Sequence, residues 1–332
     1  MATAMAKANA KAIRIERTGG PDVLQYVDFE VGAPGADEVQ LRHTAIGVNY
    51  IDVYDRTGLY PMALPGSLGR EAAGVVLAVG RKVKGFRKGD RVAYVHIAPG
   101  AYCELRNVPA ARLVKLPKAI GDEQAAAMML KGLTAQYLLR RTYRVKRGDW
   151  VLVHAAAGGV GLILCQWARA LGAKVIGVVG SDDKAKLAKR HGCHHVLISG
   201  RDDLVASVRK LTRNAGVAVV YDSVGADTFF PSLDSLAPLG MMVTYGNASG
   251  PVPSFSPLEL SKRGSLFLTR PSLFAYIAQR RDLDAMAREL FRAVASRKVT
   301  IVVGQRYVLA EAGKAHADLE ARRTTGSTVL IP

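Results

Sequence analysis

The apolar positions of this chain change their period near residue 120. Before it, from about residue 11 to 118, they come in short β-type runs broken by Gly and Pro: "KAIRIERTG", "EVQLRHTAIGV", "AAGVVLAVG", "DRVAYVHIA" and "AYCELRNV". Such runs predict a compact, strand-rich domain. From about 122 the period becomes helical, and "DEQAAAMMLKGLTAQYLLRRTYRV" predicts one helix long enough to bridge two domains. Alternation follows: strand 150–155, helix 159–171, strand 174–179, helix 182–191, strand 195–198, helix 201–213 and strands 217–221, 240–245 and 265–269. An α/β fold is expected there, a parallel, doubly wound sheet with helices on both faces. After about 272 come a helix over 283–296, short strands, a helix near 311–320 and a closing "GSTVLIP". This tail is expected to return to the first domain. The predicted organisation is a flexible extension over 1–10, a discontinuous β-rich domain of 11–130 and 272–332, and a nucleotide-binding domain of 131–271.

Composition adds scale and compartment. With 332 residues, 49% of them hydrophobic, the chain can bury the cores of two domains. No run of eighteen uncharged apolar residues occurs, and the opening "MATAMAKANAKAIRIERTGG" lacks the apolar core of a secretory signal. A soluble, cytoplasmic protein with no membrane association is expected. The lysines ahead of Glu16 also suit a short transit peptide, but arginine and serine are sparse there. Cys103, Cys165 and Cys193 are too few and too scattered for a disulfide framework and read as reduced thiols. A formal net charge of +18 attracts anions in general, whether nucleic acid, acidic lipid or a phosphorylated cofactor. Charge alone does not choose among them.

Candidate chemistry begins at "VLVHAAAGGVGLILCQWARALGAKVIGVVGSDDKAK", residues 151–186. Ala156, Gly158 and Gly161 form an AxGxxG variant of the dinucleotide fingerprint: a tight turn, a backbone able to approach a pyrophosphate, and a helix start that packs closely on the sheet. The helix would point its positive end at the phosphates. A dinucleotide carrying only ribose hydroxyls calls for an acid about 20 residues beyond the glycines. Here that strand ends in Gly180 and Ser181, with Lys184 one turn on and Arg201 past the third strand. A neutral end with cations nearby suits the 2′-phosphate of NADPH. Asp182 and Asp183 read as acids of the helix start.

"GVNYIDVYDRTGLYP", "LKGLTAQYLL", "HAAAGGVG", "VVYDSVG", "YGNASG", "GSLFLTRPSL" and "GSTVLIP" stand in this order along residues 47–332. With them the chain resembles the zinc-independent, zeta-crystallin-like quinone oxidoreductases of the medium-chain dehydrogenase/reductase superfamily. The resemblance covers about 11 to 332. It implies a GroES-like catalytic domain and a Rossmann domain, NADPH in the cleft between them, a small quinone as substrate, and a homodimer formed through the edge of the nucleotide-binding sheet. It also implies roles for particular residues. Asn49 and Tyr54 match positions beside the nicotinamide, with Asp52 and Tyr60 in the same loop. Lys131 and Thr134 match the interdomain helix; Gly158, Gly159 and Val160 the pyrophosphate turn; Ser181, Lys184 and Arg201 the adenosine phosphate pocket. Asp222, Ser223 and Val224 end the fourth strand, Tyr245, Gly246 and Asn247 the fifth; Arg270 follows the sixth, and Arg322 belongs to the C-terminal return. One departure is Gly200 in "ISGRDD", where close relatives often carry Tyr before the Arg.

Zinc-dependent relatives use a Cys, a "GHE" motif and a four-cysteine lobe. This chain has Asn49 and "GRE" at Gly69–Glu71 and no cysteine cluster, so no zinc site is expected from those positions. The group "HGCHH" at 191–195 reads as a helix end running into a strand whose side chains alternate between faces. His154 has no Ser in a strained elbow beside it, so nucleophilic catalysis is unsupported. What remains is hydride transfer from NADPH to a quinone, with Asn49 and Tyr54 orienting nicotinamide or substrate, and Tyr54 serving either as proton donor or as a wall of the cleft. Two other readings stay open: reduction of α,β-unsaturated carbonyls on the same fold and cofactor, and an RNA-binding or structural crystallin-like role. Against nucleic acid, the basic runs "RRTYRVKR" and "AKLAKRH" contain no aromatic-interleaved RNA motif.

Overall fold

A computed structural model describes residues 8–332. Most of the expected 1–10 extension therefore lies outside the described residues. Its last part is no free extension: Ala8, Asn9 and Ala10 belong to a strand and pair with Val31, Glu30 and Phe29. In chain order the strands are β1 (Ala8–Arg14), β2 (Gln25–Val31), β3 (Glu38–Val48), β4 (Glu71–Val79), β5 (Arg91–Val95), β6 (Leu105–Pro109), β7 (Leu113–Lys115), β8 (Trp150–Val153), β9 (Lys174–Val179), β10 (His195–Ile198), β11 (Val217–Asp222), β12 (Leu236–Thr244), β13 (Phe267–Thr269), β14 (Val303–Val308) and β15 (Ser327–Ile331).

Two compact units divide the chain. The first takes the residues up to Leu130, then Ile277–Phe291 and Ile301–Pro332; the second takes Lys131–Tyr276 and Arg292–Thr300. The boundary expected at 271/272 therefore falls later, and a short segment goes back to the second unit. Both shifts have local causes. Tyr276 stacks on Tyr137, ring centroids 4.3 Å apart, and its hydroxyl lies 2.8 Å from Thr142 Oγ1. Thr300 is clamped by one side-chain amide: Gln166 Nε2 donates to its carbonyl at 3.0 Å and Gln166 Oε1 accepts its N–H at 2.9 Å.

In the first unit the sheet order is β14-β15-β3-β4-β5-β7, with β6 also paired to β3, and β1 and β2 form a separate ribbon. All pairs are antiparallel except β14 with β15. Its core gathers Val39, Leu41, Ile46, Val76, Tyr94 and Leu330. In the second unit six parallel strands run in the order β10-β9-β8-β11-β12-β13. Strands such as "WVLV" and "KVIGVV" are nearly continuous apolar runs because helices cover both faces. The order reverses between β8 and β11. A reversal of this kind leaves a crevice at the carboxyl ends of the two strands, where α/β sheets bind ligands.

The single bridging helix expected after residue 122 is two helices, Asp122–Ala126 and Met129–Tyr137, the second continued by a π-turn at Leu138–Thr142. At the break, side chains from elsewhere in the first unit satisfy the released backbone groups: Ser327 Oγ donates to Ala127 O at 2.9 Å, and Glu71 Oε2 accepts Leu130 N–H at 2.6 Å. A short helix at Phe229–Asp234, not expected from the pattern, precedes β12. Among the described residues no helix is long and apolar enough to cross a membrane.

Candidate active site

The turn after β8 is built from small residues for steric reasons. Ala155 takes φ 49°, Gly158 N–H closes the turn on Ala155 O at 2.9 Å, and Gly158 caps the Gly159–Ala170 helix. A Cβ on Gly161 would overlap Ala155 O and stand 2.8 Å from Ala156 Cα, so only glycine lets this helix begin so close to the strand. At Gly158 a Cβ would stand 3.2 Å from Ala155 O, tight but tolerable, so the fold itself asks less of that glycine. Gly158, Gly159 and Val160 remain partly exposed. An anion at this end would meet the leading N–H groups and the positive end of the helix dipole. The turn thus fits a dinucleotide pyrophosphate.

β9 runs into exposed Gly180 and Ser181. Ser181 caps the Asp182–Arg190 helix, its Oγ accepting Lys184 N–H at 3.4 Å. Arg201, from the loop after β10, comes to the same place: its Nη1 lies 3.1 Å from Asp182 Oδ1. The second and third βα loops thus bring Ser181 and Arg201 to one place, Arg201 held there by Asp182, with no acid at 180 or 181, an arrangement suited to a 2′-phosphate. Gly200 takes φ +80°, a conformation that glycine adopts at little cost and side-chain-bearing residues do not.

At the ends of β11 and β12 the two loops interleave. Tyr245 N–H donates to Asp222 O at 2.7 Å, and a Cβ on Gly246 would overlap Ser223 O. Asp222, expected among the cofactor-binding residues, spends its carboxylate within the unit. Oδ1 accepts Val224 N–H at 2.7 Å and Gly225 N–H at 3.3 Å, and Oδ2 accepts the Thr228 hydroxyl at 2.7 Å. It shapes the turn that presents Ser223 and Val224. His154 is likewise structural, buried with Nε2 2.9 Å from Ser232 Oγ, and burial lowers its pKa. Lys131 and Thr134 are buried near the start of the Met129–Tyr137 helix; Arg270 is exposed just after β13.

The remaining candidates lie in the first unit, around the helix Tyr50–Thr57 capped by Asn49. Tyr50, Tyr54 and Tyr60 form an aromatic row with centroid separations of 5.3 and 5.2 Å, Tyr54 being the buried centre. Asn49 Nδ2 donates to Glu71 Oε1 at 2.8 Å; both residues are buried. Asp52, expected in the same loop near the nicotinamide, is wholly buried within the Tyr50–Thr57 helix. Its Oδ2 accepts Asn49 N–H at 2.8 Å, the carboxylate half of a capping box, and also the Tyr102 hydroxyl at 3.0 Å. Tyr102 Oη lies 3.0 Å from His316 Nε2, and His316 Nδ1 lies 3.3 Å from Arg56 Nη1. Arg56 in turn makes a two-pronged pair with Glu320, at 2.9 and 2.8 Å. Burial pushes the Asp52 carboxyl up to about 7, against the hydrogen bond from Asn49, and lowers His316 to about 3. Tyr102, His316 and Glu320 carry no local sequence signal, because their partners lie far away along the chain. Arg322, in the C-terminal return, is exposed with φ 58° directly after the His316 helix.

The three histidines of "HGCHH" are all engaged within the second unit. His191 Nδ1 pairs with Leu187 O, His194 Nδ1 accepts Val175 N–H at 3.0 Å, and His195 lies against Trp150. Among the described residues no group of three or more His, Cys, Asp or Glu is placed to hold a metal ion. Two open grooves of about 670 and 710 Å³ on the first unit include none of the candidate residues.

Residues 35–118 match the alcohol dehydrogenase GroES-like domain, and residues 159–293 match the zinc-binding dehydrogenase family. A quinone oxidoreductase of Pseudomonas aeruginosa is 51% identical over 97% of this chain and 100% of its own length. A 2-haloacrylate reductase from a Burkholderia species is 46% identical over 96% of this chain and 98% of its own. The crystal structure of Escherichia coli quinone oxidoreductase complexed with NADPH superposes with a TM-score of 0.95 at 48% identity, covering 98% of this chain and 100% of that one.

Proposed function

Because the chain belongs to the quinone oxidoreductase family of the medium-chain dehydrogenases/reductases, we propose that it is an NADPH-dependent reductase of small quinones. NADPH, when bound, supplies the hydride. The chain's residues bind and orient. Gly158, Gly159 and Val160 receive the pyrophosphate on backbone N–H groups, while Ser181, Lys184 and Arg201 receive the 2′-phosphate. Ser223, Val224, Tyr245, Gly246 and Asn247 line the crevice at the reversal of strand order, with Lys131, Thr134, Arg270 and Arg322 as further polar contacts. Asn49 and Tyr54 orient the nicotinamide or the quinone, and the row Tyr50, Tyr54 and Tyr60 supplies an aromatic wall suited to a flat acceptor. Asp222 serves by shaping its turn and Asp52 by holding the Asn49 cap.

The observation carrying the choice of cofactor is the strand end itself: Ser181 caps the next helix where an acid would otherwise meet ribose, and Arg201 lies beside it. Following absorbance at 340 nm with NADPH and NADH against 1,4-benzoquinone tests both halves of the proposal. NADPH-selective quinone turnover is expected; equal use of NADH would overturn the pocket assignment, and NADPH binding without turnover would overturn the activity. The 46% identical 2-haloacrylate reductase motivates a parallel arm with an activated alkene. Faster reduction of that acceptor would move the substrate class from quinone to conjugated alkene.

The working form is a homodimer in the cytoplasm. Supporting the first, Phe267 of the edge strand β13 and Leu239 of its neighbour β12 are 56% and 67% exposed. In support of the second, Cys103, Cys165 and Cys193 are all free thiols.

A further inference from the structure

The hydrogen bonds beneath the Tyr50–Thr57 helix have only one consistent direction. Arg56 cannot accept, so His316 Nδ1 must present its lone pair to Nη1 and the ring proton must sit on Nε2. Nε2–H then donates to Tyr102 Oη, and the Tyr102 hydroxyl donates to Asp52 Oδ2. Two donors converge on that oxygen, the Tyr102 hydroxyl and Asn49 N–H, while among the described residues Asp52 Oδ1 has no hydrogen-bond partner. A proton arriving at Asp52 therefore has one place to go without breaking the chain, Oδ1. Losing it makes Oδ2 a stronger acceptor and tightens the Asn49 cap.

Resting on the reading of Asn49 as an orienting residue, we propose that Tyr102 and His316 are positioning residues: they set the protonation of Asp52, and through Asp52 Oδ2 the firmness with which the Asn49 turn is held for hydride transfer. Several groups bear on that carboxyl. Burial is the largest influence and raises its pKa; the Asn49 N–H lowers it, the Asp55 carboxylate raises it, and Arg70 and the Tyr102 hydroxyl lower it. Arg70 is itself paired with Asp55 at 2.7 Å. From the C-terminal helix, burial and the neighbouring Arg56 keep His316 neutral, so at working pH it acts as a donor rather than a charge.

The test titrates full-length protein labelled with ¹³C at the aspartate carboxyls, Asp52 being assigned by its loss in Asp52→Asn. NADPH oxidation by 1,4-benzoquinone is measured over the same pH range. In the unaltered protein both should show a midpoint near the Asp52 value of about 7, turnover rising as the carboxyl ionises. Removing the donor in Tyr102→Phe should move both midpoints up by roughly one pH unit. That predicts about fivefold lower turnover at pH 7, recovered near pH 9, which loss of packing would not produce. His316→Ala should move them the same way and His316→Gln, which keeps a donor and an acceptor, should restore them; this pair decides the matter should Tyr102→Phe fail to fold. Unmoved midpoints, or a carboxyl that moves while the turnover midpoint stays, overturn the proposal. If the unaltered protein fails to reduce quinone at any pH, the functional reading falls, whereas the carboxyl titration still judges the network.

Discussion

Asn49 and Glu71 are joined side chain to side chain, Nδ2 to Oε1 at 2.8 Å, and the other carboxylate oxygen of Glu71 takes Leu130 N–H at 2.6 Å. One buried carboxylate thus ties the cap of the Tyr50–Thr57 helix to the break between the two helices that follow residue 122. Replacing Asn49 by Ala removes one hydrogen bond from a buried carboxylate. A loss of about 1–3 kcal/mol in denaturant melts is expected, together with a fall in kcat. Full turnover by a folded Asn49→Ala protein would remove Asn49 from the orienting role.

Cofactor choice should respond in opposite directions to two neighbours. Arg201→Ala removes a cation from the Ser181 pocket and should weaken NADPH binding roughly tenfold or more while leaving NADH nearly unchanged. Asp182 now shares Arg201, at 3.1 Å, so Asp182→Ala should free the guanidinium and raise the NADPH preference. Fluorescence titration with both nucleotides reads this directly. A loss of NADPH affinity in Asp182→Ala would show that the acid orders the pocket instead of competing for it.

The two glycines of the first turn should separate fold from binding. At Gly161 an added methyl overlaps backbone atoms that have no room to retreat, so Gly161→Ala should cost a few kcal/mol, about what overpacking a core costs, and melt the protein early. Gly158→Ala meets its nearest atom at 3.2 Å and should keep most stability while weakening NADPH. Equal thermal loss in both variants would contradict this division.

Acid should destabilise the protein through buried neutral histidines. Burial lowers His43 to about 4 and His316 to about 3, from 6.5. Both native values are depressed, so their contribution is fully present above about 6.5 and is lost as the pH falls towards the native values, by up to about 1.4 kcal/mol per pH unit for each histidine. Asp52 acts the other way: its native value is raised from 3.8 to about 7, so its contribution is greatest at low pH and fades between those values as the pH rises. Stability measured between pH 7 and 4 should fall on acidification, less steeply in His316→Gln and more steeply in Asp52→Asn. A flat profile in that window would argue against neutral buried imidazoles.

A charge at the sheet edge should separate subunits. Phe267→Glu places a carboxylate where β13 exposes an aromatic ring, and light scattering should then report a monomer in place of a dimer. An unchanged mass would move the interface elsewhere.

Some misplacements along the chain share one origin. A periodic helical pattern from 122 to 145 reads as one helix, because periodicity is blind to the Ser327 hydroxyl and Glu71 carboxylate that stabilise a break at Ala127–Leu130. Chain order alone places Arg292–Thr300 with the first domain, whereas the side-chain amide of Gln166 holds its end to the second unit. Asp222 stands at a strand end where ligand contacts are common, yet its three hydrogen-bond partners lie within the next six residues and hold it to shaping its own turn.

What the amino-acid order determined alone is whatever short stretches of chain decide: the alternation that builds the parallel sheet, the small-residue turn at Ala155–Gly161, and the missing acid at Gly180–Ser181. Each is settled by sterics or charge within one strand–turn–helix unit. Tertiary structure decided the rest. Asp52 meets Tyr102 across 50 positions, Tyr102 meets His316 across 214, and Arg56 meets His316 across 260. Neither hydrophobic period nor spacing encodes such pairings. A carboxylate in an exposed-looking loop becomes a buried acceptor only once the C-terminal helix has packed beneath it and excluded water.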